Sequence, residues 1–409
     1  MTKLKRTRKT IRLLTALAVI ALQSACSTSP VVFSAKERRD AAQHVVPAQE
    51  LVAFVDRHGN LYPGQEVEVK LDAMTAVSEH SADFASLEAL YKRGADPEGW
   101  AKMRSQAGVT DTGTFDEQWN LVQTKLRASL VQQIQQRTQG TRPLVILIHG
   151  FNNDYTAADA WYHLVSEDVR KLQRDAVVLR LHWDGMVQSG VPVFIWREAQ
   201  WNAPIVGLAL RDLLRSLPSS QPVRILTHST GALVAANALG DATKPLDCER
   251  PGYAEYCKRI SDSNTLPNQD LYRVALVIPA ASLETFRNYP NASRTWPERM
   301  ILGLNKDDFA TDKLIFSCRW DGATCMNTWA ADACREVKRA FEQAPSKTQV
   351  SLFQFSNSPG NSEGSKWIFW EEHSMEAQRN RSKWWPLLHQ LLDVNPAVSD
   401  DSIRFCASN

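Results

Sequence analysis

The sequence predicts an α/β fold: a mostly parallel sheet with helices on both faces, plus cap-like insertions. Three observations point there. From residue 143 onward, short continuous apolar runs recur between turn residues, as strands buried on both faces do. Stretches at helical spacing separate them, so successive strands are joined by crossovers. The composition, 44% hydrophobic and 22% charged in 409 residues, is that of a soluble globular chain. It excludes a disordered chain and a many-helix membrane protein, and 18 Gly with 19 Pro exclude a collagen-like or low-complexity one.

Residues 1–25 read as an export signal. Lys3, Lys5, Arg6, Arg8, Lys9 and Arg12 form a positive head, and Leu13 to Leu22 is a largely apolar run. That run is too short to span a bilayer comfortably, which takes ~20 residues. Small residues, Ser24 and Ala25, precede Cys26. The formal charge of +2 depends on this segment: without it the chain carries 41 basic and 45 acidic residues. No basic groove is indicated, and no nucleic-acid partner is expected.

Residues 26–50 show no clear period and read as a tether, and 51–409 as the folded domain. In its N-terminal extension (51–140), two alternating runs around His58-Gly59-Asn60 predict a hairpin over 51–70. Residues 76–138 read mainly as helix, broken at Gly140. Strands are then expected within 143–149, 176–183, 222–228, 274–282, 299–305 and 350–356, with helices at 155–174, 199–217 and 232–240. Residues 241–273 and 312–345 are too long for ordinary connections and read as cap-like insertions over a site. Of 13 Trp residues most suit core packing, and Trp183, closing a strand, is the best pocket candidate.

Six cysteines follow Cys26, an even number that suits an oxidising compartment. They allow 15 pairings. Short loops suggest Cys248–Cys257 and Cys318–Cys325, leaving Cys334–Cys406. No C-x-x-C and no nearby His supports zinc. With no phosphate loop either, no metal or other cofactor is expected.

Thr227-His228-Ser229-Thr230-Gly231 sits between a strand and a helix. A nucleophile on such a sharp turn stands above the sheet, among small neighbours, beside the amides and positive dipole end of the helix. The same serine could instead simply cap the helix. The segment resembles the G-x-S-x-G elbow of α/β hydrolases, with Thr227 in place of the first Gly. The resemblance extends over residues 143–395 to a large, poorly characterised group of bacterial α/β hydrolases. It rests on HGFNN (149–153), Leu181-His182-Trp183, THSTG, VALVIPAA, NKDD (305–308) and EEHS (371–374), in that order.

That resemblance implies an α/β-hydrolase fold and a serine hydrolase with chain order Ser, acid, His. Ser229 is then the nucleophile. His149-Gly150-Phe151 becomes the oxyanion loop, with the amides of Phe151 and Thr230 as donors, although His149 itself could be purely structural. Asp308 matches the group's N-x-x-D-x-A pattern through Asn305 and Ala310, and Asp307 remains a second candidate. A helix cap is the alternative role for either Asp. His373, in a loop after the last strand, is the expected base. His389 sits at helical spacing among leucines, and His228 adjoins the nucleophile on a turn where neighbouring side chains diverge.

The expected function is cleavage of carboxylic esters, of acyl or lipid-like small molecules, through a Ser-His-Asp triad and an acyl-enzyme. The alternatives are a non-catalytic envelope lipoprotein using the scaffold for binding, and an amidase or peptidase. Ser24-Ala25-Cys26 resembles a bacterial lipoprotein signal with Cys26 lipidated, though Gln23 stands where an aliphatic residue is usual. Ser27, rather than Asp, then implies an outer-membrane anchor. Ordinary export, periplasmic or secreted, is the alternative.

Overall fold

A computed structural model of the chain describes residues 28–29, 31–69, 86–188, 196–240, 271–286, 297–312, 324–328, 330–341, 348–355, 373–394 and 404–405. Its strands are β1 Thr28–Ser29, β2 Glu50–Val55, β3 Leu144–Ile148, β4 Val177–Trp183, β5 Val187–Gln188, β6 Val223–His228, β7 Tyr272–Val277, β8 Arg299–Leu304, β9 Gln349–Gln354 and β10 Arg404–Phe405. Eight of them form one sheet, in the order β10-β9-β8-β7-β6-β3-β4-β2. From β2 to β9 every neighbouring pair is parallel, and only the two-residue β10 runs antiparallel. β1 and β5 pair separately.

The helices are α1 Ala35–Gln43, α2 Leu87–Lys92, α3 Pro97–Gln106, α4 Phe115–Thr138, α5 Tyr155–Leu172, α6 Trp196–Arg215, α7 Gly231–Leu239, α8 Phe309–Asp312, α9 Cys325–Thr328, α10 Ala330–Phe341, α11 Met375–Arg379 and α12 Trp384–Leu392. Alternation along the strands divides the core in two. Leu144, Ile146, Ile148, Ile225 and Leu302 pack with α4, α6, α7 and α10. Val145, Leu147, Leu226, Val277 and Ile301 face the opposite way, onto α5 and α12. The central strands are buried along their length, and mostly apolar, because both faces are covered. No helix among the described residues is long and apolar enough to cross a membrane.

The strand order reverses at one place. From β3 the chain moves outward to β4, then crosses back to pair β6 on the other side of β3. The loops after β3 and β6 therefore part there, leaving a crevice at the strand C-termini where open α/β sheets bind ligands.

Three expectations change. The stretch expected as a tether contains α1, which Ser34 and Glu37 close with a reciprocal capping box. Its Ala41 joins a cluster with Phe33, Phe54, Tyr62, Leu87 and Trp119. The expected hairpin keeps its turn, with Asp56 N on Asn60 O and Tyr62 N on Phe54 O, both 3.0 Å, and a bridge from Val55 to Leu61, but its first arm is β2, at the sheet edge parallel to β4, and its second arm forms no strand among the described residues. The insertion at 312–345 supplies α10, whose Ala333, Val337 and Phe341 pack on the sheet as the β8–β9 crossover. The apolar stripe of α10 is thus used by the core rather than by a cap. Residues 241–270 and 313–323 lie outside the described residues, as do residues 1–27 with Cys26. Each expected cysteine pair has at least one member outside them too.

β2 is fixed by buried charge. Arg180 on β4 holds Glu50 at 2.6 Å and Asp159 of α5 at 3.1 Å, and Arg170 of α5 also contacts Glu50. The side chains of Arg180 and Glu50 have no solvent exposure. Removing one partner from such a group leaves an uncompensated buried charge. Arg180→Ala is expected to lower unfolding stability by ~3–5 kcal/mol in urea titrations, and Arg180→Lys, which keeps the charge, by less.

Candidate active site

β6 ends at His228 and α7 begins at Gly231. Between them Ser229 adopts φ 55°, the left-handed region. For a residue with a Cβ this is strained by ~1–3 kcal/mol, and it persists only where its surroundings enforce it. They do so here. Ser229 N donates to Val277 O at 3.1 Å. Two glycines let the backbones close in: a Cβ on Gly150 would lie 2.7 Å from Ser229 Cβ, and one on Gly231 would lie 2.6 Å from Ile148 O. Thr227, at the elbow's unusual position, is accommodated as an ordinary strand residue. It is buried, paired with Ile148 and Leu276, and its Oγ1 donates to Ala275 O at 3.4 Å.

The three residues expected to act together do converge. His373 Nε2 lies 2.9 Å from Ser229 Oγ, and His373 Nδ1 lies 2.7 Å from Asp308 Oδ2. Asp308 is fully buried just past the end of β8. Thr311 Oγ1 and Asn327 Nδ2 donate to its Oδ2 at 2.8 and 3.1 Å, and Ala310 N to its Oδ1 at 3.0 Å. Burial pushes this carboxyl upward, but His373 and these donors outweigh it and hold it below the usual carboxylate range. Asp307 is exposed, so only Asp308 reaches the imidazole. His389 sits on α12 with its Nδ1 3.3 Å from Val394 O, away from the triad.

Sequence reasoning missed two supports. Asn327 on α9 reaches Asp308, accepts from Asn305 N at 2.8 Å, and donates to Asn305 O at 3.1 Å. Nothing in a Cys-containing stretch 19 residues from Asp308 marks it. His228 does turn away from Ser229, but towards His373: its Nε2 donates to the His373 carbonyl at 2.7 Å. It thereby fixes the backbone of His373.

The loop after β3 is braced from below. His149 Nε2 accepts from Trp183 N at 3.1 Å, which leaves Nδ1 as donor to Gly150 O at 2.7 Å. Trp183 stacks on the same ring and donates from Nε1 to His149 O at 2.8 Å. Trp183 is therefore a fully buried core residue and not a pocket wall. Tyr162 Oη accepts from His149 N at 3.0 Å and donates to Leu181 O. Asn153 Nδ2 donates to Gly150 O and Phe151 O at 3.2 and 2.9 Å. The two expected oxyanion residues meet directly: Phe151 N donates to Thr230 Oγ1 at 2.6 Å.

Comparison of the chain with family models, with curated proteins and with solved structures found no match. Among the described residues no group of three or more His, Cys, Asp or Glu is placed to hold a metal ion. The arrangement itself can deprotonate a serine hydroxyl and carry the proton on an imidazole held in one tautomer by a buried carboxylate.

Burial, aided at His228 by the neighbouring His373, holds His149 down to about 4 and His228 to about 3. Burial also puts His182 well below the ordinary histidine range. On unfolding each returns to about 6.5. Above that pH both states are neutral at these sites. Below it the unfolded chain binds protons that the folded chain refuses, so stability falls with falling pH. Asp308, held below its ordinary value, adds a further loss at lower pH. Urea midpoints are expected to decline as pH is lowered from ~6.5 towards ~4, and His228→Asn to flatten that decline.

Proposed function

We propose that this protein is a serine hydrolase that cleaves carboxylic esters. The observation carrying the proposal is the continuous chain Ser229 Oγ–His373 Nε2–Asp308 Oδ2, at 2.9 and 2.7 Å. His373 takes the Ser229 proton as Oγ bonds to the carbonyl carbon. The tetrahedral intermediate collapses as His373 returns the proton to the leaving alkoxide, giving an acyl-enzyme and an alcohol. Water, deprotonated by the same imidazole, then releases the acid. Asp308 stabilises the imidazolium in each half.

The scaffold-only alternative gives no reason for the left-handed Ser229. A binding protein would gain nothing from that strain, whereas a nucleophile gains access. An amide could be cut by the same steps, with an amine as leaving group, and paired ester and anilide substrates separate the two. We place the enzyme in the cell envelope, with Cys26 as a lipid anchor, because charged head, apolar run and small residues precede that cysteine.

A fluorophosphonate probe is expected to label the wild-type protein and not Ser229→Ala; equal labelling of both would sink the enzyme reading. Asp308→Asn, which frees the imidazole tautomer, is expected to lower kcat on short acyl esters ~10⁴-fold. For the anchor, the mature chain is expected to carry an acylated Cys26 by mass spectrometry, and Cys26→Ser to leave the membrane fraction.

A further inference from the structure

Acyl transfer develops negative charge on the substrate's carbonyl oxygen, and donors must wait where that oxygen will be. The Phe151 amide is already engaged, by Thr230 Oγ1 at 2.6 Å. Thr230 occupies the N-cap position of α7, where a threonine hydroxyl ordinarily accepts from the first-turn amides. Here it makes no such bond. The fully buried side chain is turned to Phe151 instead. In that contact the hydroxyl is the acceptor, so its own proton is still to be placed. Among the described residues it donates to no acceptor. A buried hydroxyl proton with no partner, one residue from the nucleophile, is an expensive feature unless something arrives to receive it.

We propose that the Thr230 hydroxyl is a catalytic residue: it donates its hydrogen bond to the carbonyl oxygen of the acyl substrate as that oxygen becomes an anion. This inference rests on the serine-hydrolase reading. The Phe151 N–H holds the hydroxyl in place and polarises it, and a chain of two donors acting in series strengthens the terminal bond. Thr230 forms no covalent bond and gives up no proton; the attacking electrons remain those of Ser229. The loop after β3 thus contributes through Thr230 rather than by direct contact with the oxyanion.

The rival reading is a plug: the hydroxyl fills the donor's place and has to swing away before substrate binds. Thr230→Val separates the two, since it keeps the shape but neither accepts nor donates. As proposed, kcat for oxoesters falls ~10²–10³-fold with KM little changed, Thr230→Ala behaves likewise, and Thr230→Ser restores most of the rate. The ratio of oxoester to thionoester turnover also falls in the Val and Ala variants. Sulfur is a poor hydrogen-bond acceptor, and general loosening of the elbow would not move that ratio. An unchanged or raised kcat in Val and Ala, with wild type active, overturns the Thr230 role and leaves the hydrolase reading standing. A wild-type protein that neither labels with fluorophosphonate nor turns over esters overturns both.

Discussion

The site depends on how closely two backbones approach where the strand order reverses. β3 and β6 are neighbours, and residues just beyond them, Gly150 and Ser229, touch before the two loops part in opposite directions. Gly150 and Gly231 leave no room for a Cβ against Ser229 and Ile148. That contact presses Ser229 into its left-handed conformation, and bonds from Ser229 N to Val277 O and from Ala232 N to Ser229 O, both 3.1 Å, hold it there. The strain is local and of order 1–3 kcal/mol. The parallel sheet that resists it is buried on both faces, which is why a short turn can be held against its own preference.

A second constraint follows from burial. Around Ser229 lie polar side chains that water does not reach, and each needs a partner. Asp308 stays charged because four groups donate to it: His373, Thr311, Asn327 and Ala310. His149 and His228 stay neutral, and each spends a ring N–H on a backbone carbonyl. The result is an imidazole whose backbone and Nδ1 are both fixed. Such preorganisation is what lets hydrogen bonds contribute at the transition state without reorganisation during the reaction.

Much of this was legible in the residues. The alternation of apolar runs with helical stretches gave the parallel sheet, since covered strands must be apolar on both sides. Ser229, Asp308 and His373 could be picked out because strand–turn–helix context and chain order restrict where each can fall. What stayed hidden was long-range or ambiguous. β2 carries the same apolar alternation whether it only turns back on residues 60–62 or also joins a sheet edge, and its pairing with β4, from far along the chain, leaves no local mark. α1 sits in a stretch without apolar period, and sequence reasoning missed its capping box of Ser34 and Glu37 as a helix start. Asn327 belongs to the site through one side chain reaching across from a short helix, a contact with no sequence period at all.

The N-terminal layer is bound into the same argument. Asp184, just past β4, accepts Val31 N and Met186 N at 2.8 and 2.9 Å on one oxygen, and Arg57 Nε at 2.8 Å on the other. The loop so fixed lies directly against the one that carries Phe151. Met186 O accepts Asn152 N at 3.0 Å, and a Cβ on Gly185 would meet Phe151 Cα at 3.0 Å. Segments near residues 31 and 57 are therefore linked to the loop that carries Phe151 through a single buried carboxylate. An extension that only shielded apolar surface would not need a buried ion pair at that point, where a desolvated charge must be balanced or destabilise the fold.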